Sequence, residues 1–332
     1  MFDFTYLWVG ILGFGLLMYV LADGFDLGVG MLFPFAADED ERDVMMNSVA
    51  PVWDGNETWL ILGGAGLLAA FPLVYAVFLP ALYIGVFLLL AGLIFRGVAF
   101  EFRFKASKTG KPMWNLAFTG GSLVASFAQG AVVGAYIQGF ETENMRYVGG
   151  AFDWLTPFTV MTGLGLVTGY ALLGATWLVL KTEGVLQQRM RRWSLRLLLA
   201  VMAFFVVVSI WTPQMDPYVH ARWFGNISWL WVLPGTTLVM AGLIWHWLRS
   251  GRDALPFIGT IGLFALFYGG LLFSKWPYVV PPAHTFHDAA SAPESQLFLL
   301  VGVLFVIPFV LMYTAWTYYV FRGKVKMGVG YH

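Results

Sequence analysis

Residues 58–95 read TWLILGGAGLLAAFPLVYAVFLPALYIGVFLLLAGLIF, 38 positions without a single Asp, Glu, Lys or Arg. A helix crosses the hydrocarbon of a bilayer in roughly 20 apolar residues. The run is too long for one crossing and long enough for two. Pro72 and Pro80 offer the break, and a tight turn between them predicts helices over 58–76 and 79–98. Seven further uncharged runs, at 4–22, 112–140, 154–180, 197–214, 223–247, 254–274 and 295–321, lie on either side of this stretch. With the first helix carried on to about Met31 by continuing apolar character, they predict helices over 4–31, 113–139, 154–180, 196–214, 224–247, 254–274 and 295–321. The expected fold is therefore an all-α integral membrane protein of nine transmembrane helices, one domain over residues 1–332.

Composition agrees. Of the 332 residues 59% are hydrophobic and 11% charged, against about 25% charged in an ordinary soluble domain. Such a chain cannot cover a water-facing surface, and it is far too apolar to be disordered. It has no Cys, which removes disulfides, iron–sulfur clusters and thiolate metal sites. Met1, Phe2 and Asp3 lack the positive start of a cleavable signal peptide. Lys and Arg together equal Asp and Glu at 19 each, so net charge points to no nucleic acid.

The placement of charge is more telling. With the N terminus outside, only Arg146, Arg222 and Lys275 of the 19 cations face outward. All the others fall in the inner segments 23–57, 96–111, 181–196, 248–253 and 322–332. Cytoplasmic loops collect Lys and Arg, so this asymmetry predicts N-out and C-in.

Three constellations crowd the inner side. Asp23 and Asp26 stand at i and i+3 in Ala22-Asp23-Gly24-Phe25-Asp26-Leu27-Gly28, on one face of a first helix that runs on to about Met31. Intramembrane carboxylates face protein or water, because a charge at mid-bilayer costs about 2.5–3.5 kcal/mol. They read either as a proton-conducting pair or as a helix end in the headgroups, with Gly24 and Gly28 packing or capping. Next, Trp53-Asp54-Gly55-Asn56-Glu57-Thr58-Trp59 enters the second helix. Asp54, Asn56 or Thr58 can cap it. Capping explains one of these residues, and a water-accessible carboxylate entrance explains the rest. Third, Arg96, Glu101 and Arg103 end the third helix. All three are candidate charge partners, Arg96 for the carboxylates; the competing reading, a snorkelling, positive-inside charge, is slightly favoured for Arg103.

Gly130-x-x-x-Gly134 in the fourth helix lets a neighbour approach closely, and Gln129 beside it needs a hydrogen-bond partner near mid-membrane. A membrane heme wants axial His or Met on facing helices. His220, His284, His287 and His332 fall outside the predicted helices and His246 near a helix end, so no heme ligand is expected in this chain. His284-x-x-His287-Asp288 reads as a polar loop rather than a metal site.

Residues 23–30, 47–60 and 96–103, together with the loop at 285–296 and Tyr313-Thr314-Ala315-Trp316, resemble subunit II of the cytochrome bd-type quinol oxidases, including the cyanide-insensitive branch. The resemblance implies a heme-free subunit of a complex that oxidises quinol and reduces oxygen to water, electrogenically, in the bacterial cytoplasmic membrane. It implies two four-helix bundles plus one peripheral helix. It places two b-type hemes and one further d- or b-type heme in a partner, subunit I. A small single-helix accessory subunit and a structural quinone or lipid are further companions it allows. The role implied for this chain is to support the heme sites and to contribute a proton path and oxygen access. By motif Asp54 carries over as the proton-path carboxylate, with Asp23, Asp26 and Glu57 as lining, and Trp59 as the border of an oxygen route. Two other readings compete: a stand-alone proton-coupled transporter, against which no inverted repeat is visible, and a purely structural scaffold.

Overall fold

The computed structural model describes residues 3–225 and 228–325. Lys326 and His332, and the two residues at 226–227 in the expected 224–247 helix, lie outside it. The described chain is built from twelve α-helices and two small hairpins. Five long helices come first: α1 (Thr5–Leu32), α3 (Trp53–Ala70), α4 (Pro72–Arg103), α5 (Lys111–Gln138) and α6 (Pro157–Lys181), with the short α2 (Glu39–Val49) between α1 and α3. The rest are α7 (Gly184–Met215), α8 (Pro217–Phe224), α9 (Val232–Arg249), α10 (Leu255–Lys275), α11 (Phe286–Ala289) and α12 (Pro293–Val320). Among the described residues seven helices are long and apolar enough to cross a membrane: α1, α4, α5, α6, α7, α10 and α12. The other two long helices, α3 and α9, have 18 residues each; Asp54, Asn56 and Glu57 lower the apolarity of the first, His246 and Arg249 that of the second.

The expected break between Pro72 and Pro80 is corrected. The chain turns at Phe71, whose φ of −134° and ψ of 66° are not helical, and Pro72 opens α4 at its first turn. A residue before proline is pushed out of the α region, and proline suits the first helical position because its missing N–H has no partner there anyway. Pro80 stays inside α4. Helices 58–76 and 79–98 are thus replaced by α3 and α4, with the carboxylates of residues 54–57 already helical. The expected 196–214 helix begins twelve residues earlier, at Gly184, so the basic stretch read as a loop is the first third of α7. The expected 224–247 helix begins as α8 and a 3₁₀ turn at Ser228–Trp231, with α9 following.

Helix ends follow local chemistry. Asp38 caps α2 by accepting from Glu41 N at 2.8 Å. Thr156 and Thr159 form a reciprocal capping box ahead of α6. Gly139 ends α5 at φ 90°, a conformation that suits glycine. Asn144 and Met145, both at positive φ, close the hairpin of β1 (Thr142–Glu143) and β2 (Arg146–Tyr147). The second hairpin pairs β3 (Tyr278–Val280) with β4 (His284–Thr285), and His284 Nε2 lies 3.3 Å from Thr142 Oγ1.

Packing places α1 against α3, α5 and α6, and α4 against α3 and α5. On the other side α6 and α9 each pack on both α7 and α10. Helix α12 leans on α3 and is tied at its start, where Ser291 N donates to Ala70 O at 2.9 Å. Its outer face stays bare, with Phe298 80% exposed. Apolar faces of this kind suit lipid or another membrane subunit rather than water.

Candidate functional site

Helix α1 can carry two carboxylates into the core because glycines bring α6 against it. A Cβ on Gly28 would sit 1.9 Å from Tyr170 O, and one on Gly174 would sit 2.3 Å from Gly28 C. Gly24 meets the Tyr170 ring in the same way. Asp23 and Asp26 are therefore fully buried, and Gly24 and Gly28 serve close packing.

Their counter-charge comes from α4. Arg96, itself closed to solvent, brings Nη2 to 2.8 Å from Asp23 Oδ1 and 2.8 Å from Glu57 Oε2. Its guanidinium lies 5.5 Å from the Trp53 ring centre, and Trp53 stacks in turn on Phe100. Asp26 is held differently. Asn56 Nδ2 donates to Asp26 Oδ2 at 2.7 Å, and Tyr318 of α12 donates to Asn56 Oδ1 at 2.8 Å. Asn56 is thus no cap: α3 begins after Val52 with no side-chain cap at all, and Asn56 joins three helices instead.

The expected partner of Gln129 is a pair of tyrosines. Gln129 Nε2 donates to Tyr19 Oη at 2.7 Å, and Tyr170 donates to Gln129 Oε1 at 2.8 Å. Tyr19 lies one turn before Asp23 on α1, which places this polar row on the carboxylate face. Asp23 Oδ1 is held by the Arg96 ion pair, whereas Asp26 Oδ1 and Arg96 Nε and Nη1 have no hydrogen-bond partner among the described residues. Buried polar atoms are normally satisfied, so such a concentration marks a site rather than a mere packing contact.

The other sequence-derived candidates scatter. Asp54 is exposed on the first turn of α3 and touches none of the buried carboxylates. Glu57, three residues on and 29% exposed at its side chain, is the link between that surface and Arg96. Trp59 is buried edge-on to Phe14, with its indole N–H unpartnered among the described residues. Glu101 is exposed and, among the described residues, pairs with Lys105 alone, at 3.7 Å. Gly130 and Gly134 do admit a neighbour: their Cβ positions fall 2.6 Å from Thr162 O and 2.1 Å from Thr162 Oγ1 of α6.

For Arg103 the snorkelling reading is corrected. It does not snorkel; it is fully buried, pairing with Asp43, with Glu39 at 2.7 Å and with Asn115 at 2.6 Å. Helix α2 supplies those carboxylates and lashes Arg189 of α7 through Glu41. Partial burial works against ionisation of Glu39, but Arg42 and Arg103 outweigh it and hold its carboxyl below the usual glutamate range. Sequence reasoning missed Tyr19, Tyr170 and Tyr318. Their signal was only a tyrosine within an apolar helix, where a buried hydroxyl needs a partner. His220, His246 and His287 are exposed and His284 half-buried, the last two on the hairpin side.

With this geometry in view, the likenesses to known proteins are informative. The family model for cytochrome bd terminal oxidase subunit II matches residues 4–321. The chain is 31% identical over 358 residues to the cytochrome bd-I ubiquinol oxidase subunit 2 of Escherichia coli (strain K12), covering 96% of this chain and 94% of the relative. It is 30% identical over 339 residues to the cytochrome bd ubiquinol oxidase subunit 2 of Bacillus subtilis (strain 168), covering 98% and 96%. Its fold matches a chain in the structure of bd oxidase from Geobacillus thermodenitrificans with a TM-score of 0.79, at 18% identity and covering 95% and 96% of the two chains.

Proposed function

The chain belongs to the cytochrome bd terminal oxidase subunit II family, and on that premise we propose that its buried carboxylate cluster is a proton-handling element serving oxygen reduction in a partner subunit. The protein is a subunit of a cytochrome bd oxidase, an oxidoreductase complex, and a multi-pass protein of the bacterial inner membrane. The proposal adds quinol and oxygen as substrates of the complex and a subunit I that carries the hemes. Of the described histidines His220, His246 and His287 are exposed and His284 lies half-buried in the hairpin of β3 and β4, which suits no axial ligand in the helix core, so no step is routed through a heme here.

One observation carries the reading. Three carboxyl groups, Asp23, Asp26 and Glu57, gather round the single guanidinium of Arg96 inside a helix bundle. Carboxyls accept and donate protons and arginine does not. The cluster can therefore load and release a proton while Arg96 holds the compensating charge. Glu57 reaches the exposed turn of Asp54, which stands at i and i+3 with it. The route runs from Asp54 through Glu57 to Asp23 and Asp26. With N-out and C-in topology its mouth opens to the cytoplasm, as electrogenic oxygen reduction requires. Nine membrane passes belong to this reading, with bundles of α1, α3, α4, α5 and of α6, α7, α9, α10, and α12 peripheral; the pairwise packing supports it. Trp59 is the candidate border of an oxygen route, and support of heme-site assembly is the structural share of the role. A scaffold-only subunit differs from this reading at Asp54 and Glu57.

The test begins with a tagged chain extracted in mild detergent. A reduced-minus-oxidised heme spectrum on a co-purifying subunit, quinol-driven oxygen uptake, and proton uptake from the inside of proteoliposomes are expected. Wild-type proton uptake in a Glu57→Gln complex with normal heme content would leave the scaffold reading in place.

A further inference from the structure

The inner-side cations are not equally engaged. Arg42, Arg96, Arg103, Lys111, Arg189 and Arg191 all meet carboxylates. Arg192, Arg196 and Arg249 are exposed and make no ion pair or hydrogen bond among the described residues. All three lie on one rim, because the start of α7 and the end of α9 are joined: Arg191 Nη1 donates to Leu248 O at 3.3 Å and to Arg252 O at 2.8 Å. The carboxylates near this rim are otherwise occupied or distant. Asp253 holds Arg191 and Lys324, Glu41 holds Arg189, and Glu183 precedes Arg192 by nine residues at the start of α7.

Two of the free guanidiniums are backed by indoles. Arg196 Cζ lies 5.8 Å from the Trp193 ring centre and Arg249 Cζ 4.9 Å from that of Trp245. Stacking fixes the plane of a guanidinium and leaves its N–H edge free for a bidentate oxyanion. Tryptophan also favours the level where headgroups meet hydrocarbon.

Below the arginines the same face of α7 turns apolar. Arg192, Arg196, Leu199, Ala203, Val206 and Ile210 recur at three- and four-residue intervals, and every one is exposed. From Leu199 to Ile210 the helix rises about 16 Å, close to the depth of one leaflet in a hydrocarbon core of roughly 30 Å. A stripe with cations at one end and a leaflet's depth of apolar surface beneath matches a single molecule with an anionic head and acyl tails. The geometry points to a binding site for an anionic phospholipid on the α7/α9 rim, its phosphodiester held by Arg192, Arg196 and Arg249 and its chains lying along α7. A protein partner would have to supply both acidic groups and an apolar helix in the same register.

The experiment uses the purified complex. It is delipidated by detergent exchange, then titrated with phosphatidylglycerol and, separately, phosphatidylcholine, with retained lipid read by native mass spectrometry. The wild-type complex is expected to prefer phosphatidylglycerol. The triple variant R192Q/R196Q/R249Q should lose that preference, at low salt by about fivefold for each arginine removed. The lysine triple, which keeps the charge, should retain part of it. Equal retention of phosphatidylglycerol by wild type and the glutamine triple overturns the proposal. Unchanged lipid with loss of a co-purifying protein overturns it too, in favour of a protein contact. If the glutamine triple does not accumulate, the wild-type titration decides: a preference erased by high salt upholds the site, and no preference refutes it.

Discussion

Arg96 and Asp23 meet at 2.8 Å with both side chains closed to solvent, one from α4 and one from α1. The pair is the electrostatic hinge of the chain, since Glu57 shares the same Nη2 and Asp26 lies one turn beyond Asp23. Burying charges is costly, and removing one partner leaves the other without compensation.

Arg96→Gln therefore strands Asp23, Asp26 and Glu57 together. A loss of about 3–5 kcal/mol is expected, seen as little recoverable complex and a sharply lowered melting temperature. Asp23→Ala should also lose assembled complex or heme. Normal yield, heme content and melting in both variants would show that the cluster adds nothing to stability.

Asp54→Asn is expected to behave oppositely. Its carboxylate is exposed and bonded to none of the cluster, so stability should change by less than about 0.5 kcal/mol. Quinol-driven oxygen uptake should fall all the same, because the proposed route loses its entrance. Unchanged uptake in fully assembled enzyme would refute the proton role of Asp54.

Gly28→Ala tests the close contact that buries the carboxylates. Its new methyl would fall 1.9 Å from Tyr170 O and 2.7 Å from Gly174 N, backbone atoms that cannot step aside singly. Overpacking of this order costs about 1–3 kcal/mol or more. Gly120→Ala, with open space around it, should be neutral or slightly stabilising. Equal melting temperatures for the two variants would contradict the helix approach.

Acid should loosen the corner where Asp253 receives Lys324 and Arg191. Partial burial pushes that carboxyl up, but Lys324, Gln187 and Arg191 outweigh it and hold it below its ordinary value of 3.8. A depressed folded-state value means stability that is present above about pH 4 and lost as pH falls through the folded value. The side chain is 38% exposed and its charge partly screened, so the contribution is under about 1 kcal/mol. Asp253→Asn should melt slightly below wild type at pH 7, and the gap should close as the medium is acidified towards pH 3. A gap that widens on acidification would reverse the sign.

Much of the fold was legible in the chain because hydrocarbon thickness imposes a length on each apolar run. The apolar stretches foretold helices at 4–31, 113–139 and 254–274 within a few residues of α1, α5 and α10. Family motifs around Asp23, Asp54 and Arg96 were legible for a similar reason, since charged residues are rare against so apolar a background. Two prolines in one run were ambiguous, because either can open a helix, and only packing decided that Pro72 does so while Pro80 stays inside α4.

By itself, then, the sequence determined that this is a many-helix membrane protein, with Asp23, Asp26, Asp54 and Glu57 standing out as charges at the ends of apolar runs. Which carboxylates meet was decided by tertiary structure alone. Asp54 and Asn56 are two residues apart, about 200° round the helix, so one faces out and the other reaches Asp26. Arg103 looked like a surface charge until α2 folded Glu39 and Asp43 over it. Linear spacing gives the face of one helix; the partner on that face comes from a segment tens or hundreds of residues away, as Tyr318 does for Asn56.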